Sequence, residues 1–182
     1  MSTTALNPLP TITDLIREDH AQVADIFRRY QTEAPAHAKQ KLVGAVSQML
    51  EIQTRLKDEI FFPALRALAT DETILARSEA AHHQMHSLIG QLRDMRPTAT
   101  LYDDTVTTLN KVFNVHATEE EAVLLHAERL LPDQLIKLGA RMRTRRRVLS
   151  RPRMGQVGAL LLTAGSLVAG GYLIKRALER RL

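Results

Sequence analysis

Two histidines stand four residues apart in the segment His82-His83-Gln84-Met85-His86. On an α-helix this spacing places the imidazoles of His82 and His86 on one face, one turn apart, where a single metal ion can contact both. A histidine pair of this kind also occurs on helices that bind no ion, so the pair alone is a weak signal. The prediction of a metal site therefore depends on whether other histidines and carboxylates face the same point.

A second pair with the same spacing, His116 and Glu120, lies in the middle of an apolar stripe. His20 lies on another stripe, and by itself it could be a core histidine with a protein partner. Several imidazoles and a carboxylate in an otherwise apolar core indicate a metal site, because such groups need partners when buried. The chain contains no cysteine, so the ligands must be nitrogen and oxygen atoms. The ligands predicted from these patterns are His20, His82, His86, His116 and Glu120.

Apolar residues recur at helical spacing over four stretches of the chain. The first begins after Thr11, which together with Asp14 has the pattern of a capping box. The second is expected to kink or end near Phe61-Phe62, because Pro63 follows directly.

The third stretch ends near Met95, and Thr100-x-x-Asp103 has the pattern of a capping box for the fourth. Long amphipathic helices joined by short connections favour an all-α fold, an antiparallel up-down four-helix bundle. We expect this bundle to occupy residues 11–131, preceded by a flexible lead-in at residues 1–10.

Two polar residues interrupt the buried face of the second helix. Gln53 and Lys57 fall among its apolar residues Val46, Leu50 and Ile60. A lysine that points into a core is unfavourable unless its ammonium group is paired or reaches solvent. Gln53 and Lys57 are therefore the anomaly of this helix.

The arrangement resembles the hemerythrin-like (HHE cation-binding) family over about residues 12–140. That family has a histidine on helix one, His-x-x-x-Glu on helix two and His-x-x-x-His on helix three. Its helix four has a histidine followed four or five residues later by Glu or Asp. The matching residues here are His20, His82 with His86, and His116 with Glu120 or Glu121. The helix-two segment also matches in its framing residues, but Gln53 replaces the histidine and Lys57 replaces the glutamate.

The resemblance implies an iron centre, and the two replacements imply that it is incomplete. In the family fold the helix-three and helix-four histidines share one iron, and those of helices one and two hold the other. This chain keeps His82, His86 and His116 for the first ion and only His20 for the second. Lys57 also brings a positive charge to the place of the second cation. The resemblance therefore implies one or two iron ions, with a single ion favoured and another divalent metal as the alternative.

The predicted function is metal binding without catalysis, in the sensing of oxygen, nitric oxide or redox state, or in iron handling. No nucleophile motif, phosphate-binding loop or substrate signature is found in the sequence. The alternative is a metal-free bundle in which Lys57 pairs with Glu120 or Glu121. Such a bundle would act as a membrane-tethered module for protein interaction.

The charge of the chain is unevenly distributed. Residues 1–140 carry 14 Lys and Arg against 19 Asp and Glu, a net charge of −5. Residues 141–182 carry 11 against 1, a net charge of +10. The basic block precedes an apolar stretch and lacks interleaved aromatic residues, so anionic lipid headgroups rather than nucleic acid are the predicted partner.

The C-terminal part has the pattern of a membrane anchor. We expect a basic juxtamembrane helix or linker at residues 132–153, a transmembrane helix at 154–175 and a basic tail at 176–182. Met154–Ile174 has no charged residue, and its length is sufficient to span a bilayer.

The spacing Gly165-x-x-x-Ala169 could seat a second copy of the helix and form a homo-oligomer. The positive-inside rule predicts a cytoplasmic bundle, with the tail across the membrane. The alternative is an apolar segment that packs on the bundle or on another protein.

Overall fold

The structure is a computed structural model that describes residues 9–32, 34–68 and 72–151. Every regular element within these ranges is helical, which confirms the predicted all-α class. The elements are α1 (Ile12–Arg28), α2 (Ala36–Leu56), a π-helix (Lys57–Phe61), α3 (Phe62–Arg66), α4 (Glu72–Asp94), α5 (Tyr102–Leu130) and α6 (Leu135–Leu149).

Four long helices enclose the hydrophobic core. Both α1 and α4 pack against α2 and α5, so the four helices form a closed ring. Their facing sides bury apolar residues that include Val23, Phe27, Val46, Leu50, Met85, Ile89, Leu109 and Phe113. The connections from α1 to α2 and from α4 to α5 are short, as is typical of helical bundles. The helical bundle predicted from the sequence is therefore present.

The helix starts agree with the sequence at α1 and differ at α5. Asp14 N–H donates to Thr11 Oγ1 at 3.1 Å, and Thr11 N–H donates to Asp14 Oδ2 at 2.9 Å. These two bonds form the predicted capping box. The capping box predicted from Thr100 and Asp103 is wrong, because α5 begins at Tyr102 without a side-chain cap.

Asp103 instead takes part in an ion pair between α5 and α2. Lys39 Nζ lies 2.9 Å from Asp103 Oδ1 and 2.7 Å from Oδ2, and the Tyr30 hydroxyl also donates to Oδ1. The side chain of Lys39 is buried. A buried ammonium needs a counter-charge, which explains why this carboxylate faces α2 instead of capping its own helix.

The second predicted helix changes its geometry at Lys57. A π-helix follows α2, in which Phe62 N–H donates to the Lys57 carbonyl five residues earlier. Pro63 favours this break, because it has no N–H to donate to the Glu59 carbonyl in an α-helix. Phe61 and Phe62 are both fully buried on either side of the transition. The predicted irregularity near these two residues is therefore present.

The last described helix, α6, packs against the bundle through an apolar side formed by Leu135, Leu138 and Met142. Its approach to the start of α1 is very close, since a Cβ at Gly139 would lie 2.6 Å from the Pro10 carbonyl oxygen. A side chain at this position would collide with backbone, so glycine is required for the contact. The compact unit that contains the bundle extends to Arg146.

Two arginines of the basic segment bind carboxylates of the bundle. Arg145 Nε and Nη2 donate to Glu59 at 2.6 and 2.9 Å. Arg146 donates to Asp19 with both terminal nitrogens, at 2.8 Å for Nη1 to Oδ1. These two guanidinium groups, expected to face lipid headgroups, are therefore engaged with the acidic body. An acidic body and an adjacent basic segment attract each other, which accounts for the pairing.

Across residues 9–32, 34–68 and 72–151, no helix combines the length and apolar character that a membrane crossing requires. The predicted transmembrane helix at residues 154–175 and the tail at 176–182 lie outside the described residues.

Candidate metal centre

Polar side chains from every side of the bundle meet in its interior. This central cluster consists of His20 on α1, Lys57 on the π-helix, His82 on α4, and His116 and Glu120 on α5. Four of them are at most 3% exposed, and the His20 side chain is 12% exposed. The cluster is therefore built from non-adjacent segments and is almost completely shielded from solvent.

Glu120 is the hub of the central cluster. Its Oε2 atom lies 3.0 Å from His20 Nε2, 3.3 Å from His116 Nε2 and 2.6 Å from Lys57 Nζ. Lys57 Nζ is also 3.1 Å from His116 Nε2. One ligand atom from each of His20, His116 and Glu120 lies within 4.8 Å of the other two. These three residues can therefore face one cation together.

His82 adjoins this group through its ring. The His82 and His116 rings meet edge to face with their centroids 4.9 Å apart, and the Phe62 ring stacks on His82 with a centroid distance of 5.7 Å. The Nδ1 atom of His82 is 3.5 Å from Asp58 Oδ1, which is too long for a normal hydrogen bond. The aromatic contacts therefore hold His82 in position while its nitrogens stay available.

Burial and charge set the protonation of the central cluster. Burial lowers the pKa of His82 to about 4, against a weaker opposing effect of Asp58. Burial also lowers the pKa of His116, although the nearby Glu120 carboxylate opposes the change. Burial disfavours the charged form of Glu120, but the Lys57 ammonium and the close imidazoles of His116 and His20 hold its pKa well below the usual value. These shifts favour the neutral forms of His82 and His116 and the ionised form of Glu120, which are the protonation states that metal ions bind.

Comparison with known protein families matches residues 11–127 to the hemerythrin HHE cation binding domain. The chain belongs to the hemerythrin HHE cation-binding family. The resemblance inferred from the ligand spacing is confirmed, and it covers the helices that carry the central cluster.

Two known proteins are similar to this hemerythrin-like chain. The first is a hemerythrin HHE cation binding domain-containing protein from Mycobacterium kansasii, whose crystal structure matches with 25% sequence identity and a TM-score of 0.66. The match covers 76% of this chain and 86% of that chain. The second is a DNA nickase of Nostoc sp. strain PCC 7120, 27% identical over 122 residues. Those residues are 65% of this chain and 33% of the nickase, so the chain spans about a third of that relative's length.

The donor set of this hemerythrin-like domain fits one metal ion. Nitrogen and carboxylate donors suit iron and zinc. Both ring nitrogens of His82 and the Oε1 atom of Glu120 are buried without a hydrogen-bond partner in the described part of the chain. Buried polar atoms are normally paired, so unpaired ones beside convergent donors favour a ligand. His116, Glu120 and His20 would hold the ion, with His82 beside them.

The donor set does not fit a second ion. Gln53 and Lys57 stand where the family has its helix-two ligands. The Gln53 amide is buried, and neither its nitrogen nor its oxygen has a hydrogen-bond partner among residues 9–32, 34–68 and 72–151. An amide is a poor ligand for iron and an ammonium is none, so a di-iron centre is not supported by these side chains.

His86 lies apart from the other predicted ligands. The sequence places it beside His82, but its side chain is exposed in the structure. The buried side of α4 follows Ser78, His82, Met85 and Ile89, a narrow seam that passes on the other side of His82. The predicted inward orientation of His86 is therefore wrong.

Glu121 is also outside the central cluster. Its carboxylate accepts hydrogen bonds from Arg17 Nε at 3.1 Å and from Nη2 at 2.7 Å. The Glu121 side chain is 45% exposed, whereas that of Glu120 is fully buried. The sequence left open which of the two glutamates is the ligand. Glu120 is the one whose position in the central cluster allows it.

Two surface grooves reach the histidines of the cluster. A groove of about 470 Å³ between α4 and α5 has His116 in its lining, together with Arg77, Lys111 and Val115. A groove of about 380 Å³ between α1 and α5 has His20 in its lining. A small molecule could therefore approach the buried donors from either side of α5.

Sequence reasoning missed the support around the cluster. Phe62 packs on His82. Asp19, which precedes His20 in the sequence, accepts hydrogen bonds from Arg146. The pair Phe61-Phe62 before Pro63 was the available signal for the first, since two adjacent buried aromatic residues are difficult to fit on one side of a regular α-helix. No spacing rule links Asp19 to a residue 127 positions away.

Proposed function

We propose that this protein binds a single metal ion, with iron as the first choice, at His20, His116 and Glu120 with His82 beside them. The observation that carries the proposal is the convergence of two imidazole nitrogens and a carboxylate oxygen within 4.8 Å inside the bundle. When bound, iron supplies redox chemistry and affinity for small ligands such as O₂ or NO. Sensing of these ligands or of redox state, or the handling of iron, is the proposed role.

The protein's own side chains contribute shielding and orientation. Phe62 and His116 fix the plane of the His82 ring, and the surrounding core keeps bulk water from Glu120. The grooves lined by His116 and His20 supply routes by which a diatomic molecule could reach the donors. A centre sheltered inside the bundle suits a sensor better than an enzyme that must admit a large substrate.

The test is the metal content of protein purified from iron-supplemented cells. We expect about one metal ion per chain, because a genuine site of this kind fills nearly stoichiometrically. The substitutions His116→Ala and Glu120→Ala should each reduce the ratio to below about 0.2. A wild-type ratio below that value would overturn the proposal.

His86→Ala is the matched control for this measurement. The family spacing makes His86 a ligand, whereas the structure has it exposed and outside the group of convergent donors. We expect His86→Ala to keep the wild-type ratio. Loss of the ion in this variant would show that His86 is a ligand, as the family pattern implies.

We further propose that the bundle is tethered to a membrane from its cytoplasmic side. Support comes from the uncharged stretch Met154–Ile174 and the basic residues on either side of it. The spacing Gly165-x-x-x-Ala169 supports pairing of two such anchors.

Membrane fractionation tests the tether. The wild-type chain should sediment with membranes and resist extraction by salt. Replacing Leu161 and Leu167 with arginine should release it, since each arginine near the middle of a span costs about 2.5–3.5 kcal/mol. A wild-type chain found only in the soluble fraction would contradict the tether and leave the metal site unaffected.

The second candidate function is a metal-free, membrane-tethered interaction module. The observation in its favour is the 2.6 Å contact between Lys57 Nζ and Glu120 Oε2, because it neutralises the carboxylate without a metal. This function predicts a melting temperature that is unchanged by chelators. A chelator-induced fall of about 4 °C or more would count against it.

The activity of the Nostoc nickase is not proposed for this chain. The match spans only 33% of that protein.

A further inference from the structure

Lys57 lies at the point where the metal donors converge. Its Nζ atom is 2.6 Å from Glu120 Oε2 and 3.1 Å from His116 Nε2. The same Glu120 oxygen is the atom that His20 Nε2 approaches to 3.0 Å. The sequence suggested that Lys57 would exclude a second ion. The structure brings its ammonium to Glu120 and His116, which are donors of the single ion proposed above.

The pairing of Lys57 with Glu120 is a buried ion pair. Lys57 is 1% exposed and Glu120 is fully buried. A buried carboxylate needs a counter-charge. The Lys57 ammonium supplies this counter-charge, because its Nζ atom donates to Glu120 Oε2 at 2.6 Å.

The other charged groups near the cluster are already engaged or partly solvated. Arg146 binds Asp19, which lies next to His20 in the chain. The Asp58 side chain is 50% exposed and lies 3.5 Å from His82. Neither Arg146 nor Asp58 takes the place of Lys57 at Glu120.

The backbone fixes the position of this lysine. Lys57 is the first residue of the π-helix, and its carbonyl accepts the N–H of Phe62. Phe62 is fully buried against His82. The local geometry that aims Lys57 at Glu120 is therefore anchored by the same aromatic residue that supports a candidate ligand.

An ammonium and a metal ion use the donors of this cluster in the same way. The lone pair of His116 Nε2 and that of Glu120 Oε2 can accept a hydrogen bond from Lys57 or bind a metal, but the two uses exclude each other. A divalent ion next to an ammonium is also strongly repelled in a buried site.

We propose that Lys57 is the resident cation of the centre: its ammonium group occupies the metal position and competes with a metal ion for Glu120 and His116. The inference rests on the proposed function, in that the competing ion is the one proposed to bind there. In the metal-free protein the ammonium keeps Glu120 paired and the bundle folded. A metal ion enters only when the Lys57 side chain leaves both donors, so this lysine sets the metal affinity of the site.

The experiment is a Zn²⁺ titration of the full-length protein in competition with a chromophoric chelator. Zn²⁺ is chosen because it is redox-inert and accepts nitrogen and oxygen ligands. Lys57→Met removes the ammonium and leaves the Glu120 charge for the metal. We expect Zn²⁺ affinity to rise at least about tenfold over wild type, and a chelator to lower the melting temperature of this variant by more than about 4 °C.

Lys39→Met is the matched control. Lys39 is also buried and also pairs with a carboxylate of α5, Asp103, but no member of the central cluster contacts it in the described structure. This variant should lose stability without gaining Zn²⁺ affinity. An equal gain in both variants would mean that any loss of a buried lysine loosens the bundle for metals, and would overturn the inference.

The outcomes separate this inference from the proposed function. Equal Zn²⁺ affinity in wild type and Lys57→Met, with stoichiometric binding in both, overturns the role of Lys57 and leaves the metal site standing. Binding by Lys57→Met but not by wild type supports the role of Lys57 and overturns metal binding by the natural chain. Binding by neither overturns both. Should Lys57→Met fail to fold without metal, Lys57→Gln, which can donate to Glu120 without a charge, must reproduce the affinity gain or the inference fails.

Discussion

Lys39 and Lys57 are buried lysines of the bundle, and each pairs with a carboxylate on α5. Lys39 binds both oxygens of Asp103, whose side chain is 31% exposed, and the Tyr30 hydroxyl joins them. Lys57 binds one oxygen of the fully buried Glu120. The other Glu120 oxygen has no hydrogen-bond partner in the described part of the chain.

The difference separates a structural ion pair from a binding site. Around Lys39, every charge has a partner and the pair touches solvent. Around Lys57, the Gln53 amide and both nitrogens of His82 are buried without partners among the described residues. Unpaired buried polar atoms reduce stability. A cluster in which buried polar atoms remain unpaired beside the ion pair is not organised simply to stabilise the fold.

The largest expected effect is the loss of Glu120. Glu120→Ala leaves the Lys57 ammonium buried without its counter-charge and should lower the free energy of unfolding by about 3–5 kcal/mol. Asp103→Ala at the more exposed pair should cost about 1–2 kcal/mol. Urea denaturation of chelator-treated protein measures both values. Equal losses would remove the distinction between the two lysine regions.

As the pH falls, stability should be lost around Lys57 before it is lost around Lys39. Because burial lowers the pKa of His82 to about 4, unfolding takes up a proton on this residue between pH 6.5 and about 4. Its contribution is therefore fully present above pH 6.5 and is lost as the pH falls toward 4, on the order of 3 kcal/mol in total. Burial opposes ionisation of Asp103, but the hydrogen bonds from Lys39 and Tyr30 keep its pKa below 3.8, so that pair weakens only at lower pH.

Urea unfolding of metal-free protein from pH 7.5 to 4.5 checks this order. His82→Gln should flatten the pH dependence, whereas Asp103→Asn should leave its slope unchanged in this range. A slope in His82→Gln that matches wild type would assign the acid sensitivity to another group.

Removal of the ion pair between Arg146 of α6 and Asp19 should have a smaller effect, confined to the surroundings of Lys57. Arg146→Ala deprives the buried Asp19 carboxylate of its partner and should cost about 1–2 kcal/mol. Arg143→Ala, which removes one exposed hydrogen bond to the Pro10 carbonyl, is the control and should cost less than about 0.5 kcal/mol. Hydrogen exchange of α1 and α6 amides would locate the loss. Increased exchange around Lys39 would contradict the separation of the two regions.

The smallest effect is expected at Tyr30. Tyr30→Phe removes one hydrogen bond to Asp103 and should lower stability by about 1 kcal/mol. Zn²⁺ affinity should stay at the wild-type value, because the change lies outside the central cluster. A changed affinity would show that the two regions are coupled through α5.

Helical periodicity was sufficient to predict the residues that the structure brings together. His20, His116 and Glu120 each lie in the middle of an apolar stripe, and a stripe that faces the core carries its polar members inward. The same rule failed for His86, because a four-residue spacing cannot say on which side of His82 the buried seam of α4 passes. The seam follows Met85 and Ile89, and His86 is left exposed.

Other contacts could not be predicted because they depend on tertiary packing. Asp103 has the sequence context of a helix cap, but a buried ammonium on another helix requires its carboxylate. Arg145 and Arg146 have the context of a juxtamembrane block, yet they bind Glu59 and Asp19 of the bundle. In each case a charged side chain pairs with a residue far away in the sequence, and the spacing of residues along a helix does not predict such pairs.

The π-helix has a consequence for how this protein can tolerate changes in chain length. A π-helix is an α-helix with one surplus residue in a single turn. Loss of one residue between Lys57 and Phe61 would convert the turn to α-helix and leave the flanking helical segments aligned, so the apolar cores on both sides would be kept. The side chain that faces Glu120 would change. Insertions and deletions, ordinarily confined to loops, can therefore alter the chemistry of this buried centre without dismantling its scaffold.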